Sequence, residues 1–517
     1  WNSGHGGRRK GRDEGVQRVV EVIQECNADI VLMQETYGSG PRISGRLLRD
    51  SSGVVSKSLA SLGYEYFLRS SNLSVMSRFP IVDTHRLASG FRFGGVSIQL
   101  REDQIVQAYS LWINHLPSVR QQLEAGTTGE QLRDEDAKTR GKEIQIILEQ
   151  LLPHLAKTPA VPVLVGGDFN SGSHLDWTKA AASQANHHGL VVDWPVGRAM
   201  AEAGFVDSYR AAHPDPVASP GITWSPEFPE SHQDRIDYVY SRGDNWRVLD
   251  ARVLSEHPRG WPSDHAATFA SMDLVSEAER QCKTIRVMSY NIHYGVGMDG
   301  TFDLARIARV IREHAPDLVG LQEISHEAMA TELGRLTGMA VVFGPSKGSN
   351  KAYGDAVLSK HPFEWVANHP IPSASSSRYQ AMAVDVDLSD VLGEGQKARL
   401  INTHFDWLDT IGSRAARMAS VAMIEQAFCR DVSLPVLLTG DLNARPGSEP
   451  LERLGAAGWS QGDPTHPLPS IGAPPDRQID YVLAKPAQGW RIHRTYIADE
   501  PVASDHRPII MILERTQ

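Results

Sequence analysis

One ordered set of polar residues runs through this chain twice, and that duplication constrains the fold more than any other feature. Asn2, Glu35, His115, Asp168, Asn170, Asp237 and Asp264-His265 return as Asn291, Glu323, His404, Asp441, Asn443, Asp480 and Asp505-His506. The displacement is 289, 288 and 289 residues for the first three, 273 for the next two, then 243 and 241. A displacement that drops at two points means that one copy is the other plus two insertions, the mark of a duplicated unit. Flanking words repeat as well: Met33-Gln34-Glu35 answers Leu321-Gln322-Glu323, and Gly167-Asp168-Phe169-Asn170 answers Gly440-Asp441-Leu442-Asn443. The 517 residues therefore divide into units over 1–275 and 284–517, joined by a short charged connection from about residue 271 to 283.

Each copy places its polar residues at the ends of short apolar runs. Val16, Val19, Val20 and Ile23, and again Ile307, Val310 and Ile311, form helical stripes, each followed by a strand that ends on the glutamate. The strands 30–33 and 318–321 are continuously apolar, as central strands covered on both faces are. Strands alternating with helices predict an α/β fold of packed layers. The first copy carries about 16 extra residues between His115 and Asp168, assigned to the polar stretch 121–142. A further 30 lie between Asn170 and Asp237, a segment holding Trp177, His187, His188 and Trp194. Both insertions are expected as surface loops around the first site. Trp177, Trp194 and Trp407 are expected to pack, with a rim contacting substrate as the alternative.

Formal charge is −10, with 28 basic against 33 acidic residues before residue 275 and 24 against 29 after it. Neither half has the basic excess of a dedicated nucleic-acid binder. Cys26, Cys282 and Cys429 are too few and too scattered to predict a disulfide framework or a zinc site, and no apolar run approaches the roughly 20 residues of a membrane span. Trp1-Asn2 is already the first motif, so the strand that should lead into it is expected upstream of Trp1.

Glutamate, aspartate and asparagine at strand ends are hard oxygen donors suited to Mg²⁺ or Mn²⁺. Glu35 and Asp264 with Asn2, and Glu323 and Asp505 with Asn291, are the metal candidates. His115 with His265, and His404 with His506, then fit opposite sides of a phosphoryl centre, where they exchange protons or stabilise charge. Asp237 and Asp480 would orient the last histidine of each set. Asp168 and Asp441 would align the attacking water, and Asn170 and Asn443 would donate to the phosphate.

Both copies resemble the endonuclease/exonuclease/phosphatase superfamily in Trp1-Asn2, Gln34-Glu35, Asn114-His115, Gly167-Asp168-Phe169-Asn170, Ile236-Asp237-Tyr238 and Ser263-Asp264-His265, and in their counterparts 290–291, 322–323, 403–404, 440–443, 479–481 and 504–506. The resemblance implies two tandem four-layered α/β sandwiches with mixed sheets flanked by helices, and Mg²⁺- or Mn²⁺-dependent hydrolysis of a phosphoester by in-line attack of water. It leaves the substrate open, because one site of this kind serves nucleic acids, lipids and sugar phosphates. Composition favours a small-molecule or lipid-headgroup phosphodiester over a nucleic acid. A nuclease, or a chain with one catalytic and one binding or scaffold domain, are the alternatives. The start Tyr290-Asn291-Ile292-His293-Tyr294-Gly295 resembles exported bacterial members and favours a secreted or periplasmic location.

Overall fold

A computed structural model describes residues 1–11, 13–36, 42–43, 46–47, 54–102, 104–346, 353–430, 433–462, 468–472 and 474–516. The chain forms two compact units, Trp1–Val275 and Ser276–Gln517.

The second unit shows the architecture most plainly. Its strands are β12 (Thr284–Asn291), β13 (Leu318–Ile324), β14 (Ala340–Pro345), β15 (Gly354–Ser359), β16 (Phe363–Ile371), β17 (Tyr379–Asp387), β18 (Lys397–His404), β19 (Val436–Asp441), β20 (Asp480–Ala484), β21 (Trp490–Ile497) and β22 (Ile509–Arg515). One sheet runs β14-β15-β13-β12-β22-β21 and the other β16-β17-β18-β19-β20. Each sheet has one parallel pair, β12 with β13 and β18 with β19, inside an otherwise antiparallel order. The facing sides meet through Val287, Val357, Met382, Leu400, Leu437 and Met511, all fully buried. The helices Leu304–His314 and Glu327–Thr337 cover the first sheet and Ile411–Ile424 covers the second, giving four layers. Apolar faces on every element leave burial between neighbours as the main driving force.

The first unit has strands β1 (Ile30–Met33), β2 (Glu65–Leu68), β3 (Ser74–Ser77), β4 (Ile81–His85), β5 (Phe93–Arg101), β6 (Gln104–Trp112), β7 (Val163–Asp168), β8 (Val206–Asp207), β9 (Asp237–Arg242), β10 (Trp246–Leu254) and β11 (Ala267–Leu274). Its second sheet, β8-β9-β7-β6-β5-β4, matches the pattern above, but the first is split into β1-β3-β2 and β10-β11. Among the described residues nothing corresponds to β12. Asn2 alone bridges Gln34 in parallel, as Asn291 pairs with Gln322.

The insertions of the first unit differ from the expected loops. Residues 119–138 form helices Val119–Glu124 and Gly129–Lys138, the latter opened by a Thr128/Gln131 capping box. The segment after Asn170 is packed rather than looped out: Trp177 and Trp194 are fully buried, edge to face at 5.5 Å. Beneath them Arg235 bridges Asp176 and Asp207, each at 2.8 Å. Buried charges persist only when paired in this way. The connection between the units contains a helical turn, Glu277–Gln281.

Candidate active sites

In each unit the polar residues converge where strand ends of the two sheets meet. In the second unit Asn291 ends β12, Glu323 lies near the end of β13, and His404 and Asp441 end β18 and β19, paired with one another and with Asp480 at the start of β20. The crevice beyond the carboxyl ends of parallel strands is where α/β sheets bind ligands. Gln322 ties the sheets together there, donating to Asn402 Oδ1 at 2.7 Å, as Gln34 donates to Ser110 Oγ at 2.9 Å. The glycine before each aspartate is fixed by the close approach of the neighbouring parallel strand rather than by a turn. A Cβ at Gly167 would lie 1.9 Å from the Leu111 carbonyl oxygen, and one at Gly440 would lie 2.5 Å from that of Thr403.

The centre of each site is an aspartate-held histidine. His506 Nδ1 lies 2.8 Å from Asp480 Oδ2, and His265 Nδ1 lies 2.9 Å from Asp237 Oδ2. The opposite nitrogen faces Asp441 at 3.8 Å or Asp168 at 3.9 Å. Burial disfavours the imidazolium, but the flanking carboxylates outweigh it and lift both histidines to about 10. Burial, reinforced by a like-charged neighbour (Asp480 or Asp237), pushes Asp441 and Asp168 up to about 7. The serine of each Ser-Asp-His motif, unassigned from sequence, donates to the backbone carbonyl of Asn2 or Asn291 at 2.8 Å and so fixes the motif against the first strand position.

The asparagines are tied into each site by hydrogen bonds to its other residues. Each Oδ1 of Asn2 and Asn291 accepts a backbone N–H, from Gly4 or His293, at 3.1 Å, which engages one of its two lone pairs. Their amide nitrogens bridge carboxylates: Asn291 donates to Glu323 and Asp441, each at 3.1 Å, and Asn2 to Asp168 at 3.0 Å. Asn170 and Asn443 have both amide hydrogens engaged internally. Asn443 donates to the Phe405 carbonyl and contacts His404 Nε2, while Asn170 donates to the Ile113 carbonyl and Asp168.

The expected equivalence of His115 and His404 fails. His404 pairs with Asp441 across the parallel ladder, but the residue paired with Asp168 is Trp112. His115 lies three residues further on, exposed at the cavity edge. His404 is buried, with Nδ1 3.3 Å from the Tyr353 hydroxyl, a partner invisible in the sequence. Burial holds its pKa below the ordinary value, so it is neutral at pH 7.

Glu35 and Glu323 sit at φ 52° and 62°, and Asn170 and Asn443 at 48° and 45°, left-handed backbone that non-glycine residues seldom adopt. The strained glutamates are held by their own N–H groups, bonded to Asn72 Oδ1 at 3.0 Å in one unit and to Asp355 in the other. Strain of this kind clusters at functional sites.

The two cavities are unlike. The second is about 1680 Å³ and brings Glu323 and Asp505 to one wall with His404, Asp441 and His506. Arg378, Arg414, Arg445 and Arg477 also line it, with Tyr294 and the 61 % exposed Trp407. Glu323 and Asp505 are open carboxylates without an arginine or lysine partner among the described residues, a donor set that fits a hard divalent cation. The first cavity is about 460 Å³. Arg9 lies on its metal-candidate carboxylate, Nη1 to Asp264 Oδ2 at 2.6 Å, and is braced by Glu227 at 3.1 Å. Trp224, which bridges His265 as Ile471 bridges His506, packs edge-on to the His265 ring at 4.8 Å. Glu35 and Asp264 share this cavity, but an ion there would have to displace a guanidinium.

Two copies of a sheet-on-sheet sandwich, each carrying an Asp-His-Asp chain at the mouth of its strands, define a class of hydrolase-like domains. The family model described as "Endonuclease/Exonuclease/phosphatase family" matches residues 1–265 and 288–506, and the chain belongs to that family. A Caenorhabditis elegans protein described only as uncharacterised is 27% identical over 304 residues, 53% of this chain and 89% of that protein. Among solved structures, an endonuclease/exonuclease/phosphatase from Beutenbergia cavernae is 24% identical, covering 45% of this chain and 72% of its own, with a TM-score of 0.38. The human Nocturnin catalytic domain with bound sulfate is 20% identical, covering 45% and 94%, with a TM-score of 0.36. A mannosyl-6-phosphatase from Bacteroides thetaiotaomicron is 17% identical, covering 44% and 99%, also at 0.36.

Proposed function

We propose that the chain is a divalent-metal-dependent phosphoesterase, and that the second unit's cavity hydrolyses a compact phosphodiester of the small-molecule or lipid-headgroup class. The observation that carries this reading is the Asp480-His506-Asp441 chain opening into a cavity walled by arginines. Glu323 and Asp505 would hold Mg²⁺ or Mn²⁺, which when bound neutralises charge on the phosphate and leaving oxygen. Asp480 fixes the His506 ring so that Nε2 faces the cavity as a proton donor to the leaving oxygen. Asp441, titrating near neutrality, accepts a proton from the attacking water. His404, held neutral, braces Asn443 through Nε2 and the Tyr353 hydroxyl through Nδ1 without adding a charge. Arg378 and Arg445 supply positive charge at the rim to attract and orient an anion.

The small-substrate reading rests on charge: each half carries an excess of five acidic residues, whereas long nucleic acids are gripped through many Lys and Arg contacts. The Arg9–Asp264 pair and Trp112 in the place of a histidine favour a second reading for the first unit, as the non-catalytic partner in a chain with one working site. The test is hydrolysis of a panel of small phosphodiesters, phosphomonoesters, phospholipids, plasmid DNA and RNA with Mg²⁺ or Mn²⁺, using wild type, Glu323→Gln and Glu35→Gln. Turnover of a small or lipid diester, lost in Glu323→Gln and kept in Glu35→Gln, is expected. Turnover in excess chelator, or efficient plasmid nicking with none of the small diesters cleaved, would overturn it.

A further inference from the structure

Away from both cavities, the second unit gathers one sulfur, one nitrogen and one oxygen donor that the reaction does not use. Cys282 caps the helix Glu277–Gln281, two residues before β12. Glu514 lies on β22, paired with Thr284 on one side and Arg491 on the other. His493 occupies a β-bulge: Ile492 pairs with Leu513 and Arg494 with Ile512, so the histidine has no partner in the ladder. Bulges re-aim side chains, and this one turns His493 toward Glu514. The candidate ligand atoms of Cys282, His493 and Glu514 all lie within 4.8 Å of one another.

The nitrogen is the informative atom. His493 Nε2 is buried and, among the described residues, has no hydrogen-bond partner, although its side chain is only 7% exposed. A buried imidazole nitrogen left unmatched is costly. Its nearest charged neighbour, Glu514 Oε2, stands at 3.6 Å, beyond hydrogen-bond range. That spacing suits two ligands of one ion: nitrogen and oxygen bound tetrahedrally at about 2.0–2.2 Å are separated by roughly 3.4 Å. Glu514 Oε1 is engaged by Arg491 at 2.8 Å, which fixes the carboxylate and leaves Oε2 facing inward. The Cys282 thiol already contacts that carboxylate.

We propose that Cys282 Sγ, His493 Nε2 and Glu514 Oε2 form a site for a borderline-soft divalent cation of the zinc type, with water in the fourth position. Thiolate and imidazole together select such ions over Mg²⁺, the opposite preference to the all-oxygen carboxylates of the active-site cavity. Binding deprotonates the thiol and releases one proton to solvent. The ion would staple the helix before β12 to the bulge of β21 and to β22.

The test uses the full chain, stripped with chelator and returned to saturating Mg²⁺ so that the hard-oxygen sites are filled. Co²⁺ is then titrated while the near-ultraviolet is monitored for a thiolate-to-cobalt charge-transfer band. One equivalent of Co²⁺ is expected to produce the band and Zn²⁺ to remove it. Cys282→Ser, which changes one partly exposed atom, should abolish it. His493→Gln should weaken Zn²⁺ binding by about tenfold or more, since even outer-shell partners are worth that much. Glu323→Gln should leave both readouts unchanged. A folded wild-type chain that gives no band, or a band that persists in Cys282→Ser, would overturn the proposal.

Discussion

Arg9→Met should convert the first site from a guarded carboxylate into one that binds metal. Arg9 reaches Asp264 at 2.6 Å and Glu227 at 3.1 Å, with 30% of its side chain exposed and the two acids 10% and 20% exposed. A fully exposed pair would contribute roughly 0–1 kcal/mol. A short charge-assisted contact in a half-closed cavity is worth more, about 1–2 kcal/mol. A cation bound by Glu35 and Asp264 must break that contact, so deleting the guanidinium while keeping the apolar stem should tighten binding by the same amount. At about 1.4 kcal/mol per decade, this is roughly 5- to 30-fold in Kd. Calorimetric titration with Mn²⁺ in a Glu323→Gln, Asp505→Asn, Cys282→Ser background, which leaves the first site as the remaining cation site, measures it directly. Lys10 still holds Glu227 at 2.7 Å, so the loop should keep its place. If Arg9→Met bound Mn²⁺ no more tightly than its parent, Arg9 would not be competing for the ion, and the contrast drawn between the two sites would fall.

Other outcomes follow from the second site. His506→Ala should lower kcat by about 10² or more with folding retained, the usual scale for a general acid or base; wild-type turnover would make the ring structural. His404→Ala should reduce kcat at its site, whereas His115→Ala, outside the ladder position, should leave turnover within about twofold; equal losses would restore their equivalence. kcat/KM should rise with pH through about 7, where Asp441 loses its proton, and fall near 10, where His506 loses its own. Asp480 raises both values, so Asp480→Asn should move both limbs to lower pH, and an unmoved profile would refute the assignment. The sign for stability is the same for both groups. Each folded-state pKa is raised, from 3.8 to about 7 and from 6.5 to about 10, so the stabilisation is full below the ordinary values and fades as pH climbs through the raised ones. Urea melts at pH 4, 7 and 10 would test that fade, the first interval reading Asp441 and the second His506.

Much of the architecture was legible because it is written twice. Buried strands ending on Glu35 and Glu323, the helical stripes before them and the Asp-His pairs all follow from periodicity and order. What escaped depends on register and on distant pairing. Counting offsets aligned His115 with His404, but a constant offset cannot see where a strand leaves its ladder, and Trp112 holds the equivalent place. Asn2 and Asn291 turn their amide nitrogens to the carboxylates of the site, while each Oδ1 accepts from a backbone amide two residues away. The Arg9–Asp264 contact spans 255 positions, and Cys282 meets His493 and Glu514 only because a helix cap, a bulge and a neighbouring strand converge. The insertions read as loops because their polar residues are conspicuous, yet the ion pairs of Arg235 and the packing of Trp177 and Trp194 bury them.

The left-handed backbone at Glu35 and Glu323 bears on how such a chain can evolve. A residue held there costs of order 1–3 kcal/mol, and glycine would relieve most of it. Selection for heat resistance alone would therefore favour replacing these two glutamates, and the gain would come at the positions whose carboxylates face the cavities. Durability and chemistry pull in opposite directions at the same residue, once in each unit. A lineage that gave up turnover in one unit could keep its fold and become hardier there, leaving a glycine where the glutamate had been.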